Sequence, residues 1–230
     1  MEERKFVKVR KEEFAVKEFV KKTFGKGKVS SIKIEYTPVG EKIVIATHKP
    51  GLIIGRAGES ISRLTEVLKK KFKMENPHID IEEIKQQEFD SQLVADQIAL
   101  SLQRFGALKF KAIGYKMLSR IKLAGALGCE LKFSGKLPSD RAKSWRFAYG
   151  YLKKTGDAAK VVSRSEAVAD TKQGVIGIKV SILSPDAKLH DRITLNKELY
   201  DEIKRNISFE DVEEKPKKKN KSKAKSVAKK

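Results

Sequence analysis

Cysteine is almost missing from this chain: Cys129 is the only one in 230 residues. An internal disulfide and a thiolate zinc cage are therefore both excluded. Histidine is nearly as scarce. His48, His78 and His190 lie far apart, each near a turn, and their spacing suggests no Cys–His or Ser–His–Asp arrangement. No G-x-x-x-x-G-K-S/T segment is present, which removes P-loop nucleotide hydrolysis. No apolar run approaches the length of a membrane span, and the opening MEERKFVKVRKEEF lacks the apolar stretch of a signal peptide. No basic amphipathic anchor stands in for one. The expectation is a soluble, intracellular protein with no membrane contact, no small-molecule substrate, no catalytic residue, no metal and no cofactor. Asp80, Glu82 and Glu83 read as the polar face of a strand rather than a metal cluster, and Cys129 as a small buried hydrophobe.

What the sequence has in excess is positive charge. Lys and Arg number 51 against 30 Asp and Glu, a formal net charge of +21. Each cation docked on a phosphate releases a condensed counterion, so such an excess favours a polyanionic partner. The segment from Lys215 to Lys230 holds nine lysines and no acid, yet the residues before it keep 42 of the 51 cations. The basic character therefore belongs to the folding part too.

Apolar spacing divides the chain. Phe14, Val16, Phe19, Val20 and Phe24 form a helical stripe, closed by Gly25 and Gly27. Ile32, Ile34 and Tyr36 alternate with polar residues as a strand, and Lys42–Thr47 is its hairpin partner across Thr37–Gly40. A short turn of helix ends at Gly55, a helix runs over Glu59–Phe72, and Ile79 and Ile81 mark a third strand. This gives α-β-β-α-α-β within residues 1–88. A helix over Asp90–Arg104, with Val94, Ile98, Leu102 and Phe105 aligned, reads as a connector. A helix over Leu108–Leu123, softened by Gly114, precedes a strand at Cys129–Phe133. A short helix is expected over Ser139–Tyr149, then a hairpin of Lys160–Ala169 and Val175–Leu183. Residues 89–190 thus form a second α+β domain, helices on one face of a mostly antiparallel sheet. Residues 191–230 read as a polar extension and a disordered lysine-rich tail.

One loop stands out: Ile54-Gly55-Arg56-Ala57-Gly58, between two helical segments. Two glycines three apart let a backbone approach closely, and the following helix points free N–H groups and its positive end at the same place. A bare G-x-x-G also reads as a tight helix–helix turn. Here it follows two strands, precedes a third and lies in a basic chain, and it resembles the GXXG loop of KH domains, which grips about four backbone nucleotides. The element order resembles the type II KH arrangement.

A second run, Ser134-Gly135-Lys136-Leu137-Pro138-Ser139-Asp140-Arg141-Ala142-Lys143-Ser144, adds cations. On the expected helix Lys143 and Arg146 share one face, while Ala142, Trp145 and Tyr149 pack inward. With Gly174-Val175-Ile176-Gly177-Ile178-Lys179-Val180, the three motifs resemble, in order, the universal small-subunit ribosomal protein S-three family in its archaeal and eukaryotic form, over roughly residues 10–190. The resemblance implies a structural constituent of the small subunit, in the head, near the path by which messenger RNA enters. It implies small-subunit rRNA, passing mRNA and neighbouring ribosomal proteins as partners. The RNA-binding positions would be Ile54, Gly55, Arg56, Ala57, Gly58, Lys136, Arg141, Lys143 and Arg146. Lys109 and Lys111 stand near the family's paired basic run, and join them. A free-standing KH regulator or ribosome-assembly factor, and a nucleic-acid-processing enzyme, are the rival readings.

Overall fold

The computed structural model describes residues 2–38, 40–72, 74 and 76–189. The polar extension and lysine tail, and His190 with them, lie outside the described residues. Residues up to 190 form one compact unit that contains two separate apolar cores.

Helix α1 (Glu2–Phe24) leads into strands β1 (Ile32–Thr37) and β2 (Gly40–Thr47), then α2 (Pro50–Ile54), α3 (Glu59–Phe72) and β3 (His78–Glu83). The expected hairpin forms: β1 and β2 pair antiparallel, Ile32 opposite Ile45 and Ile34 opposite Ile43. Strand β3 joins β2 in parallel, so the sheet order is β1-β2-β3. A parallel partner requires a crossover, and α2 and α3 supply it. Leu64 and Leu68 of α3 and Val16 and Val20 of α1 are buried against Ile43 and Ile45. The α1 stripe needs one correction. Phe14 is 67% exposed, and Glu13, paired with Arg10 at 2.8 Å, occupies the buried face instead. Val16, Val20 and Phe24 recur every four residues, and three residues back from Val16 is position 13.

The second core starts with α4 (Ser91–Phe105), whose N-terminus Asp90 caps by accepting the Gln92 and Leu93 N–H groups at 2.8 and 3.4 Å. Next come α5 (Phe110–Leu123), β4 (Gly128–Lys136), β5 (Ala142–Gly150), β6 (Ser163–Thr171) and β7 (Gly174–Leu183). The antiparallel order is β5-β4-β7-β6. Two expectations change. Helix α4 is no connector: Val94, Ala95, Ile98, Ala99 and Leu102 are buried in this core, although Phe105 is 53% exposed. Residues 142–150 are a strand, not a helix. The Ala142–Trp145–Tyr149 spacing fits a helix, but Trp145, Phe147 and Tyr149 fit alternation equally well, and aromatic residues favour strands. Pairing with β4 along its whole length decides the matter.

Gly114 does not interrupt α5. A Cβ there would lie 2.9 Å from the Phe147 ring and 3.1 Å from that of Phe133. The missing side chain lets the helix sit directly on these rings.

The two cores are stitched at one seam. The Gly27 N–H donates to Asp96 Oδ2 at 2.8 Å, Lys26 Nζ donates to the Val168 carbonyl at 2.9 Å, and the Ser30 hydroxyl donates to Asp90. Asp96 is 7% exposed and also accepts from Gln92. Asp96→Ala should cost about 1–2 kcal/mol in urea unfolding, since the Gly27 N–H loses its acceptor. Asp96→Asn should cost less, because an amide oxygen still accepts. Burial pushes the Asp96 carboxyl above its ordinary value, against the Gly27 and Gln92 hydrogen bonds and the charges of Lys21 and Lys26. The folded state therefore holds this proton more tightly than the unfolded chain. Stability contributed by the protonated form declines as pH rises from the ordinary carboxylate value through the raised one. The wild type minus Asp96→Asn stability difference should fall across that window and level off above it. A rising difference would contradict the placement of Asp96.

Candidate nucleic-acid interface

The loop between α2 and α3 is built by backbone conformation. The Gly55 N–H closes α2 on the Gly51 carbonyl at 3.0 Å. Gly55 then takes φ 75°, ψ −172°, Ala57 takes φ 49°, ψ 28°, and Gly58 has φ 79°. Only glycine enters the first of these regions without strain. At Gly55 a Cβ would also fall 2.3 Å from Ser60 Oγ and 2.9 Å from Ser60 Cβ, whereas Gly58 faces open space. The two glycines differ in their reasons: Gly55 answers to packing and conformation, Gly58 to conformation alone.

Arg56 and Ala57 protrude, Ile54 is 38% exposed, and Ile53 beneath them is fully buried as the anchor of the turn. The 14-residue α3 begins directly after the loop, so its positive end faces whatever the loop meets. Glu59 in its first turn is held by Arg63 at 3.0 Å. Ile54–Gly58 thus form a turn with two half-buried glycines that presents Ile54, Ala57 and one guanidinium to solvent.

The other expected positions sit on the second core and do not form a single patch. Lys109 lies in the tight turn before α5 with its ammonium 5.5 Å from the Phe105 ring. Lys111 reaches over Trp145 at 4.5 Å. Lys143 lies two residues before Trp145, on the same face of β5. Lys111 thus covers the indole, and Lys143 shares its face of the sheet. Arg146 is the correction: on a strand it points to the face opposite Lys143, where it meets Glu130 at 2.7 Å. The shared face expected from helical spacing does not exist. Lys136 and Arg141 are exposed at the end of β4 and in the turn before β5.

Trp145 and Tyr149 face the helices as expected of packing residues. Trp145 stays 37% exposed beside Phe110, their centroids 5.6 Å apart, and Lys122 reaches over Tyr149 at 5.1 Å. Sequence reasoning missed the polar face of the second sheet, which carries Lys132, Arg164 and Lys179. The alternation Glu130, Lys132, Ser134 between buried Cys129, Leu131 and Phe133 was the available signal. Cys129 is buried, its thiol pushed up to about 11 by desolvation, which keeps it protonated and inert. Asp80 pairs with Lys42 at 3.0 Å on the exposed side of the first sheet. Among the described residues no group of three metal-ligating side chains converges.

Residues 15–89 match the KH domain model, and residues 98–182 match the model for ribosomal protein S3, C-terminal domain. The chain is 40% identical over 199 residues to small ribosomal subunit protein uS3 of Methanocaldococcus jannaschii, an alignment spanning 86% of this chain and 95% of that protein. It is also 40% identical over 190 residues to uS3 of Archaeoglobus fulgidus, 82% of each chain. With uS3 of Methanocella arvoryzae it shares 38% identity over 194 residues, 84% of this chain and 69% of the relative.

Proposed function

Because the chain belongs to the small ribosomal subunit protein uS3 family, we propose that it is a structural constituent of the small subunit, holding rRNA of the head through phosphate contacts. The family is structural rather than enzymatic, in keeping with a site made of backbone and cations. The observation that carries the reading is colinearity. A KH module with a complete G-R-A-G loop and an S3 C-terminal module follow one another in a chain that spans 95% of an archaeal uS3.

The geometry fits phosphate docking better than base reading. The loop offers the positive end of α3 and one guanidinium, which recognise phosphate whatever the base. Lys111 over Trp145 and Lys143 on the same sheet face, with Lys109 nearby in sequence, form the second group of contacts. Lys136 and Arg141, exposed at the end of β4 and in the turn before β5, add two further cations. The two modules meet the RNA as one compact unit, joined at the Gly27–Asp96 seam. Neighbouring ribosomal proteins complete the set of partners, and the chain works in the cytoplasm, where ribosomes are.

Sedimentation tests the reading. Tagged chain expressed in a related archaeon should travel with small subunits in a gradient at moderate salt. A chain found only in the light fractions would replace the structural role with that of a free-standing KH regulator.

A further inference from the structure

The second sheet has one covered face and one open face. Helices α4 and α5 pack on the side bearing Leu131, Phe133, Ile178 and Val180. Alternation sends Glu130, Lys132 and Ser134 of β4 to the other side, with Arg146 of β5 and Lys179 of β7. The register puts Arg146 opposite Lys132, and Lys132 opposite Lys179. Three cations therefore stand on one rung of three neighbouring strands, about 4.8 Å apart per step. Like charges directly opposite one another destabilise a sheet.

The surrounding groups relieve the outer two and leave the middle one. Glu130, only 15% exposed at its side chain, pairs with both Arg146 and Lys154 at 2.7 Å, and Glu166 pairs with Lys179 at 2.6 Å. Lys132 has no carboxylate partner among the described residues and is exposed. The guanidinium of Arg164 leans on the Lys153 and Lys154 carbonyls at the rim, at 3.3 and 3.2 Å. A depression lies among Glu130, Lys132, Lys154, Arg164, Glu166 and Lys179.

We infer that this open face is a further RNA-docking surface, taking the phosphodiester backbone of a folded, double-helical RNA across the Arg146–Lys132–Lys179 rung. The inference rests on the RNA-binding reading above, at a face distinct from the KH loop. Charge selects an anion: five cations against two carboxylates, both already engaged. Chemistry selects phosphate over an acidic protein. A protein interface needs an apolar or aromatic centre depleted of charge. The centre of this face carries ammonium, guanidinium and the hydroxyls of Ser134, Ser144 and Ser181, which are groups that bind phosphate oxygens. A strand-paired surface is rigid, suited to a duplex recognised by shape and backbone. Glu130 and Glu166 act as positioning residues that hold Arg146, Lys154 and Lys179 upright.

The test uses the full chain and a fully paired RNA hairpin. Lys132→Gln with Lys154→Gln and Lys179→Gln should make the log–log salt dependence of binding shallower by about 2 to 2.7 units. A charge-matched control on exposed α1, Lys5→Gln with Lys8→Gln and Lys11→Gln, should change it by less than about one unit. Lys132→Gln alone should remove about 0.7 to 0.9 unit while the melting temperature of the free protein holds or rises, because a like-charged neighbour has gone. Equal slopes in face variant and control would overturn the proposal. So would an unchanged hairpin slope accompanied by lost binding to poly-glutamate, which would give the face to an acidic protein. If KH-loop variants lose single-stranded RNA while the face variant keeps its hairpin slope, the face falls and the KH reading stands. Wild-type chain that binds neither RNA would sink both.

Discussion

Arg56→Asp combined with Ala57→Asp should weaken binding of the full chain to a short single-stranded RNA by at least about 1.5 kcal/mol, a little over tenfold in Kd. A charge-assisted contact to phosphate contributes roughly 1.5–3 kcal/mol, and here it is replaced by repulsion. The positions are chosen from the loop geometry. Both side chains are exposed, and Ala57 sits at φ 49°, ψ 28°, a region that aspartate tolerates better than most residues. Fold should therefore survive, as circular dichroism would report. Gly55→Asp is the wrong probe, because its Cβ would collide with Ser60 at 2.3 Å and confound affinity with stability. Unchanged affinity in a folded Arg56/Ala57 variant would remove the loop from the RNA interface.

The largest effect on stability is expected at Phe133. Its ring is fully buried, 5.5 Å from that of Phe147 and directly beneath Gly114. Phe133→Ala should cost about 3–5 kcal/mol, from lost transfer energy and an unfilled cavity between sheet and helix. Against a typical total of about 5–15 kcal/mol, that brings the second core near collapse. Trp145 is the sole tryptophan and lies against Phe110 in the same aromatic group, so its fluorescence reports this core in a urea titration. Phe14→Ala makes the contrast: at 67% exposure it should change stability by no more than about 0.5 kcal/mol. A small loss at Phe133, or a large one at Phe14, would contradict this packing.

Most of the KH module was legible, although α1 turns Phe14 outward and buries Glu13. Helix α3 starts and ends at Glu59 and Phe72 as its apolar spacing indicates, and the β1–β2 hairpin follows from alternation around a turn. These features rest on local signals: period, glycine and helix ends. The same holds for the β6–β7 hairpin, where Thr171 and Gly174 close a tight turn. The strand at 142–150 was not legible, because its apolar residues satisfy two periods at once. The candidate RNA-binding residues on it were misplaced for that reason alone. Lys143 and Arg146 share a face at helical spacing and oppose each other at strand spacing.

Composition and motif order by themselves determined that this chain meets a polyanion, carries a KH loop and lacks thiolate-metal and P-loop chemistry. Those properties depend on which residues are present and on neighbours within a turn or two. Tertiary structure alone decided that β5 is a strand, that α4 belongs to the second core, and that Gly27 hangs on Asp96 across 69 positions. It also decided that Arg146, Lys132 and Lys179 stand on one rung. Each depends on contacts between distant segments, whose free energy outweighs local propensity and leaves no trace in local periodicity.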